Sequence, residues 1–193
     1  PLTVLKGYIN LLRATPELKD KTSLTEMMDG IAKGADRMHE VVNMMLDVSR
    51  IDSETMKVLP APIPLNMTLT ELIHSLAKET AERKIQVSVE QEASIVSIHA
   101  DPSLIQKALY QLLVNAIKYT PDGGKVKINV QNTILENDIP AVDIRFEDSG
   151  VGIDAEHHEL IFEKFYQVGD VALHSSGKTA FKSGGPGLGL AIV

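Results

Sequence analysis

The stretch "DPSLIQKALYQLLVNAIKYTPDGG" (residues 101–124) decides the fold of the larger part of the chain. It opens with Asp101 before Pro102, a combination typical of the first turn of a helix. Its apolar side chains recur at helical spacing, at Ile105, Leu109, Leu112 and Ala116. Because "PDGG" is a turn sequence, the stretch predicts one long amphipathic helix followed by a turn.

Three polar residues interrupt the apolar character of this predicted helix. Gln111, Asn115 and Lys118 are spaced i, i+4 and i+7, which places them on one helix face. A buried amide must find a partner, and the carbonyl oxygen of Asn115 is a suitable hard ligand for Mg²⁺. Lys118 suits the charge of a phosphate. A satisfied core amide and a solvated surface lysine are the ordinary alternatives.

The segments on either side predict a sheet. "MTLTELIHSLAKETAERK" is an amphipathic helix pattern, and four segments alternate as strands do: "IQVSVE", "SIVSIHA", "KVKINVQNTI" and "PAVDIRFED". Helices and strands follow one another without a regular βαβ rhythm. We therefore expect an α+β fold in which helices cover one face of a sheet.

The first fifty residues predict a helix, a break at "TPELKD" and a second helix. The second helix carries an apolar seam at the alternating three-four spacing of a coiled coil: Leu24, Met28, Ile31, Ala35, Met38, Val42 and Met45. A two-helix hairpin cannot bury such a seam alone. The pattern favours a homodimer, in which two hairpins form a four-helix bundle, and disfavours the alternative of two core helices within a monomer.

The proline-rich "VLPAPIPL" then predicts a linker. The chain is therefore expected to consist of a hairpin at 1–57, a linker at 58–64 and a second domain at 65–193.

The composition excludes several function classes. The 193 residues carry a net charge of −7, which argues against a nucleic-acid partner. Cysteine is absent, so the chain has neither disulfides nor thiolate metal sites. No stretch reaches the roughly 18 apolar residues of a membrane helix. Since the chain starts with Pro1 rather than Met, we expect a fragment or a processed chain.

Three glycine-containing patterns could hold phosphate. "ALHSSGKT" (172–179) fits a relaxed P-loop, but the residues after it cannot start a helix. "GVGIDA" (150–155) fits a dinucleotide fingerprint, but Asp148 would place a carboxylate near the pyrophosphate, and too few residues remain for a second βαβ unit. The third interpretation combines separate pieces into one nucleotide site: Asn115, Asp148, Gly150, Gly152, Gly185, Gly187 and Gly189.

These pieces resemble a known family in their order and spacing. The chain is similar to the sensor histidine kinases of two-component systems in six segments: "PLTVLKGYINLL", "MMLDVSRIDSETMKV", "LYQLLVNAIKYTPDGG", "EDSGVGID", "IFEKFYQ" and "GGPGLGLAIV". The resemblance implies a dimerisation hairpin with its first helix truncated. It also implies a Bergerat-type ATP-binding domain, a two-layer α/β sandwich truncated at its C-terminus.

The resemblance also implies roles for individual residues. The ATP contacts would be Asn115, Lys118, Tyr119, Asp148, Gly150, Gly152, Gly185, Gly187, Leu188 and Gly189. A buried Asp148 carboxylate, which only accepts hydrogen bonds, would select the amino group of adenine. Mg²⁺ would be held by Asn115 and Gln111. Phe162 and Phe165, on a predicted helix face, would anchor an ATP lid at residues 168–186, whose Lys178 and Lys182 would reach phosphate.

The function implied is an ATP-dependent protein-histidine autokinase that passes its phosphoryl group to an aspartate of a response regulator. None of the six histidines fits the phosphoacceptor motif, which would lie just before Pro1. A cytoplasmic location is expected, with the membrane anchoring of the parent left open. Two alternatives stay open: a GHKL-type ATPase, disfavoured because Gln111 stands where such enzymes carry a glutamate base, and a catalytically silent nucleotide-binding scaffold.

Overall fold

The computed structural model describes residues 2–15, 22–53, 55–95, 97–168, 179, 181 and 185–193. The chain divides into two compact units, Pro1–Ser53 and Glu54–Val193. Each unit has buried apolar side chains of its own. No helix within the described ranges is long and apolar enough to cross a membrane.

Among its described residues, the first unit contains two helices, α1 (Leu2–Ala14) and α2 (Thr22–Asp52), which pack against each other. The predicted break between them falls mostly on residues 16–21, outside the described ranges. The predicted seam of α2 divides into two sets. Met28 and Ala35 are buried and Leu24 is partly buried within the unit, whereas the other set is exposed and comprises Ile31, Met38, Val42 and Met45.

The second unit contains three helices, α3 (Leu65–Ser75), α4 (Ala77–Glu82) and α5 (Pro102–Tyr119), within its described residues. The single amphipathic helix predicted before the first strand was wrong. It is broken at Leu76, whose φ of −111° and ψ of 13° are not helical. Leu76 is itself buried in the core at 3% exposure, so a core side chain occupies the break between α3 and α4.

The strands that the structure describes form two sheets. Strand β1 (Ala61–Ile63) pairs antiparallel with β3 (Ile98–Ala100). The segment predicted as a linker therefore adds a short strand to the second unit. In the other sheet β2 (Gln86–Gln91) runs parallel to β4 (Lys125–Leu135), and β4 runs antiparallel to β5 (Ile139–Asp148).

The alternation along β4 separates the two faces of the three-stranded sheet. Val126, Ile128 and Val130 are buried in one core with side chains of α3 and α5. The intervening side chains pair with polar neighbours, as Lys127 does with Glu90 at 2.8 Å. One face of the sheet is thus apolar and covered by helices, which confirms the predicted α+β fold.

The region after β5 contains three-residue 3₁₀ turns, Ala155–His157, Leu160–Phe162 and Leu190–Ile192, instead of the predicted short helices. The prediction that "IFEKFYQ" forms an apolar helix face was wrong, since Phe162 and Phe165 are 54% and 60% exposed. Phe165 has a φ of +65°, which stops helical continuation there.

Candidate functional site

Helix α5 carries the first group of candidate residues. Asp101 caps it by accepting hydrogen bonds from the backbone N–H groups of Ser103 (2.9 Å) and Leu104 (3.3 Å). The side chains of Leu113 and Ile117 are fully buried in the core. Gln111, Asn115 and Lys118 are only partly buried, so the polar face predicted from their spacing remains open to a ligand.

Asp101 also ties the start of α5 to the segment before β1. Its other carboxylate oxygen accepts a hydrogen bond from the backbone N–H of Leu59 at 2.8 Å. The Leu59 bond and then the Ser103 hydroxyl bond lower the pKa of Asp101 below its ordinary value, outweighing the opposing effect of burial. The charged form of Asp101 therefore holds two separate segments in register.

The C-terminal segment approaches the polar face of α5 through its glycines. A Cβ on Gly189 would stand 3.0 Å from Oε1 of Gln111 and 3.8 Å from Nδ2 of Asn115. A Cβ on Gly185 would stand 3.5 Å from Nζ of Lys118. The structure thus brings together residues that are about 70 positions apart in the sequence. The absence of side chains at both glycines lets the backbone of the segment lie close to the polar side chains of α5.

This segment is fixed from its other side. The backbone N–H of Phe165 donates to the carbonyl of Gly187 at 2.7 Å, and Nε2 of Gln167 donates to the carbonyl of Gly185 at 2.7 Å. Gly187 has a φ of +68°, and a Cβ there would stand 2.7 Å from the carbonyl carbon of Phe165. Leu188 is fully buried. Its side chain therefore fixes the segment rather than lining an open surface.

The loop after β5 provides the third group of candidate residues. Asp148 is exposed, so the prediction of a buried carboxylate was wrong; it is the last residue of β5, where the strand passes into the loop. One carboxylate oxygen accepts from the backbone N–H of Gly150 at 2.8 Å. A Cβ on Gly150 would stand 2.6 Å from the carbonyl oxygen of Tyr119, which requires glycine at this contact. The loop therefore packs directly on the end of α5.

The two predicted glycines of this loop differ in what they do. Gly152 has a φ of +71°, and nothing lies within 4 Å of the place that a Cβ would occupy. Glycine is therefore favoured there by the backbone conformation and not by a lack of space. Beside the loop, Nζ of Lys118 lies 4.8 Å from the ring centroid of Tyr119, within the range of a cation–π contact. Tyr119 is 38% exposed, so its ring presents a surface on which a flat ligand could stack.

The donor set suits a hard divalent cation with few protein ligands. Within the described ranges no group of three His, Asp or Glu side chains could hold a metal ion. Asn115 and Gln111 instead offer two neutral amides, one helical turn apart, opposite the bare backbone of Gly189. Amide oxygens fit Mg²⁺, which keeps several waters and shares phosphate oxygens. The residues present therefore fit this cation.

Sequence reasoning missed Arg83. Its side chain, only 10% exposed, lies behind the end of α5 and donates hydrogen bonds to the carbonyls of Ile117 (2.7 Å) and Thr120 (2.5 Å). It also donates to the carbonyl of Thr179 at 2.6 Å. A single arginine at the end of a helix pattern gives no signal, because its partners are mostly backbone groups.

Several predicted features cannot be placed. Lys178, Lys182, most of the predicted lid at 168–186 and most of the P-loop pattern at 172–179 lie outside the described residues. Thr179 and Phe181 are described, and both contact Arg83.

Two family models match the chain. The model described as the His Kinase A (phospho-acceptor) domain matches residues 1–54. The model described as the histidine kinase-, DNA gyrase B- and HSP90-like ATPase matches residues 100–193. Together they cover the helical hairpin and the part of the second unit that carries every site residue predicted from the sequence, whereas Arg83 lies outside both ranges.

Curated relatives match along almost the whole chain. Hybrid signal transduction histidine kinase D of Dictyostelium discoideum is 29% identical over all of this chain and 12% of its own length. The histidine-protein kinase BarA of Escherichia coli K12 is 25% identical over 98% of this chain and 20% of its own length. The chain thus spans a fifth or less of these two relatives.

Solved structures share the fold. Full-length ShkA in complex with AMPPNP superposes with a TM-score of 0.70 at 22% identity, over 98% of this chain and 37% of that chain. The histidine kinase ThkA in complex with the response regulator protein TrrA gives a TM-score of 0.56 at 22% identity, over 90% of this chain and 48% of that chain. At these identities the likeness establishes the fold.

Proposed function

The chain belongs to the sensor histidine kinases of two-component signalling, and we propose that it dimerises, binds ATP and transfers the γ-phosphoryl group to a histidine. The acceptor histidine is proposed to precede Pro1, in the helix that continues into α1. A response regulator aspartate then receives the phosphoryl group. The ThkA structure, solved with a response regulator, supports this choice of partner.

The observation that carries the proposal is the meeting of α5 with the glycine segment. Gly189 faces the amides of Gln111 and Asn115, and Gly185 faces the ammonium of Lys118. At this border α5 presents one cation and two amides to the bare backbone of the glycine segment. Such a border suits a triphosphate, which needs hydrogen-bond donors, positive charge and room for close approach.

The proposed roles follow from this placement. Asp148 accepts a hydrogen bond from the amino group of adenine and so disfavours guanine, which presents a carbonyl there. Tyr119 borders the nucleotide, and Lys118 neutralises phosphate charge. Asn115, with Gln111 beside it, holds Mg²⁺. When bound, this cation bridges phosphate oxygens and neutralises charge that develops during phosphoryl transfer.

Helix α2 supplies the dimer in this proposal. Its exposed apolar residues form the dimer stripe, defined as Ile31, Met38, Val42 and Met45, which are 46–62% exposed. A single helical hairpin leaves this stripe in water at a cost of about 25 cal/mol per Å² of apolar surface. Pairing with the same stripe of a second copy buries it in a four-helix bundle.

The test is the fate of labelled ATP. The chain including its acceptor helix is incubated with γ-labelled ATP and Mg²⁺, and protein-bound label and free phosphate are measured separately. Acid-labile, base-stable label in the protein supports the kinase. Rapid phosphate release without protein label would instead indicate an ATPase, and bound ATP with neither product would indicate a nucleotide-binding scaffold.

A further inference from the structure

Arg83 uses its guanidinium to join three parts of the chain. Two donors reach the carbonyls of Ile117, in the last turn of α5, and of Thr120, the residue that directly follows the helix. A donor also reaches the carbonyl of Thr179, while Nε donates to Oδ1 of Asp122 at 2.8 Å. The guanidinium carbon lies 5.9 Å from the ring centroid of Phe181, at the outer limit of a cation–π contact.

The position of these bonds along α5 gives them their significance. Ile117 and Thr120 directly flank Lys118 and Tyr119, the two residues of α5 nearest the loop after Asp148. The last carbonyls of a helix lack intrahelical partners and carry the negative end of its dipole. A buried cation that binds them therefore fixes the turn on which Lys118 and Tyr119 stand.

The guanidinium of Arg83 has few other hydrogen-bond acceptors within reach among the described residues. A buried guanidinium is costly unless its donors are paired, and only its planar fork can reach carbonyls in different directions at once. Asp122 is 72% exposed in its side chain, so that ion pair alone contributes little. The carbonyls of Ile117, Thr120 and Thr179 are therefore the contacts that determine where Arg83 lies.

We propose that Arg83 is a positioning residue for nucleotide binding, coupling the backbone at Thr179 to the turn of α5 that presents Lys118 and Tyr119. This inference rests on the proposed function, because the nucleotide is the ligand whose affinity the coupling sets. Lysine cannot replace arginine here, since a single ammonium cannot span the same set of carbonyls.

The experiment compares Arg83→Lys with the wild type in the kinase that includes its acceptor helix. Lys78→Gln serves as the control, because it removes an exposed cation from α4, the helix that ends just before Arg83. Autophosphorylation is measured as a function of ATP, giving KM and kcat. Amide hydrogen exchange is measured without nucleotide for the peptides that contain residues 117–120 and residues 179 and 181.

Arg83→Lys is expected to raise KM for ATP about tenfold with little change in kcat, the size expected for one lost charged hydrogen bond. Exchange should become faster in both peptides together. Phe181→Ala, at a 39% exposed position, should have smaller effects of the same kind even if Arg83→Lys does not fold.

Two results would overturn the inference. One is an unchanged KM in a folded Arg83→Lys variant, whatever its melting temperature. The other is faster exchange in only one of the two peptides for either variant. A wild-type protein that takes no label would contradict the proposed function instead, while the exchange comparison would still decide the coupling.

Discussion

Gly189 lies directly against Gln111: a Cβ on the glycine would stand 3.0 Å from Oε1 of the glutamine. That distance is tighter than ordinary contact, so any side chain at position 189 must displace the amide. The pair joins the C-terminal segment to the face of α5 on which the proposed nucleotide site depends. Position 189 is therefore where the addition of a single methyl group tests the proposed site.

Gly189→Ala should weaken ATP binding about tenfold, because the added methyl group must displace the Gln111 amide. The fold should persist, with a small loss in unfolding free energy. The control is Gly30→Ala in α2, where nothing lies within 4 Å of the added methyl; helix propensity there favours alanine by roughly 0.5–1 kcal/mol. Unchanged ATP affinity in the Gly189 variant would contradict the assignment of the contact between Gly189 and Gln111 to the nucleotide site.

Asp148→Asn should reverse the preference for the base. The amide oxygen can still accept from the N–H of Gly150, but the new amide N–H₂ group opposes the amino group of adenine. Competition binding should show at least a tenfold loss of ATP affinity and a gain of GTP relative to ATP. Glu147→Gln, the neighbouring exposed carboxylate, is the control. Equal losses in both variants would point to a general charge effect instead of base selection.

Asp101→Asn should remove a pH dependence of stability. Hydrogen bonds from Leu59 and Ser103 lower the pKa of Asp101 in the folded state. The unfolded state therefore binds the proton first, and the contribution of Asp101 is fully present above its ordinary pKa of 3.8. It is lost as the pH falls through the lower folded value. Urea midpoints between pH 7 and pH 2.5 measure this loss.

The expected result is that Asp101→Asn is less stable than the wild type at pH 7 and that the difference shrinks in acid. Glu136→Gln, an exposed carboxylate in the turn before β5, should change the profile much less. A difference that stays constant from pH 7 to pH 2.5 would contradict the role given to the charged form of Asp101.

Val42→Glu should dissociate the proposed dimer. In an isologous interface each copy brings the same residue, so the change adds two carboxylates to an apolar seam. Light scattering after gel filtration should report a dimer for the wild type and a monomer for the variant. Ser49→Glu makes the same change in charge at an exposed polar position of α2 and should stay dimeric. A wild-type monomer at every concentration would contradict the bundle.

The features of the site that could be predicted from the sequence are those that follow from the spacing of residues within one helix or strand. The face of α5 with Gln111, Asn115 and Lys118 follows from a 3.6-residue repeat, and β4 follows from strict alternation. The contact between Gly189 and Gln111 spans the second unit. No local pattern encodes such a contact, so only the resemblance to a family brought the two together in advance.

The errors have equally physical origins. The helix predicted before β2 breaks at Leu76 because core packing there overrides a continuous apolar repeat. The exposure of Asp148 depends on where the sheet edge meets solvent, which a sequence does not state. Arg83 escaped notice because most of its partners are carbonyls, and backbone groups carry no identity in the sequence.

The central claim is tested most directly by measuring phosphoryl transfer in the wild type, in a site variant and in a control variant. The wild type, Asn115→Ala and the control Gln106→Ala, an exposed residue of α5, are incubated with γ-labelled ATP and Mg²⁺, and the labelled residue is mapped. The account predicts acid-labile label on a histidine preceding Pro1 in the wild type and control, and at least a hundredfold less in folded Asn115→Ala. Equal labelling of all three proteins, or ATP bound without any label, would contradict it.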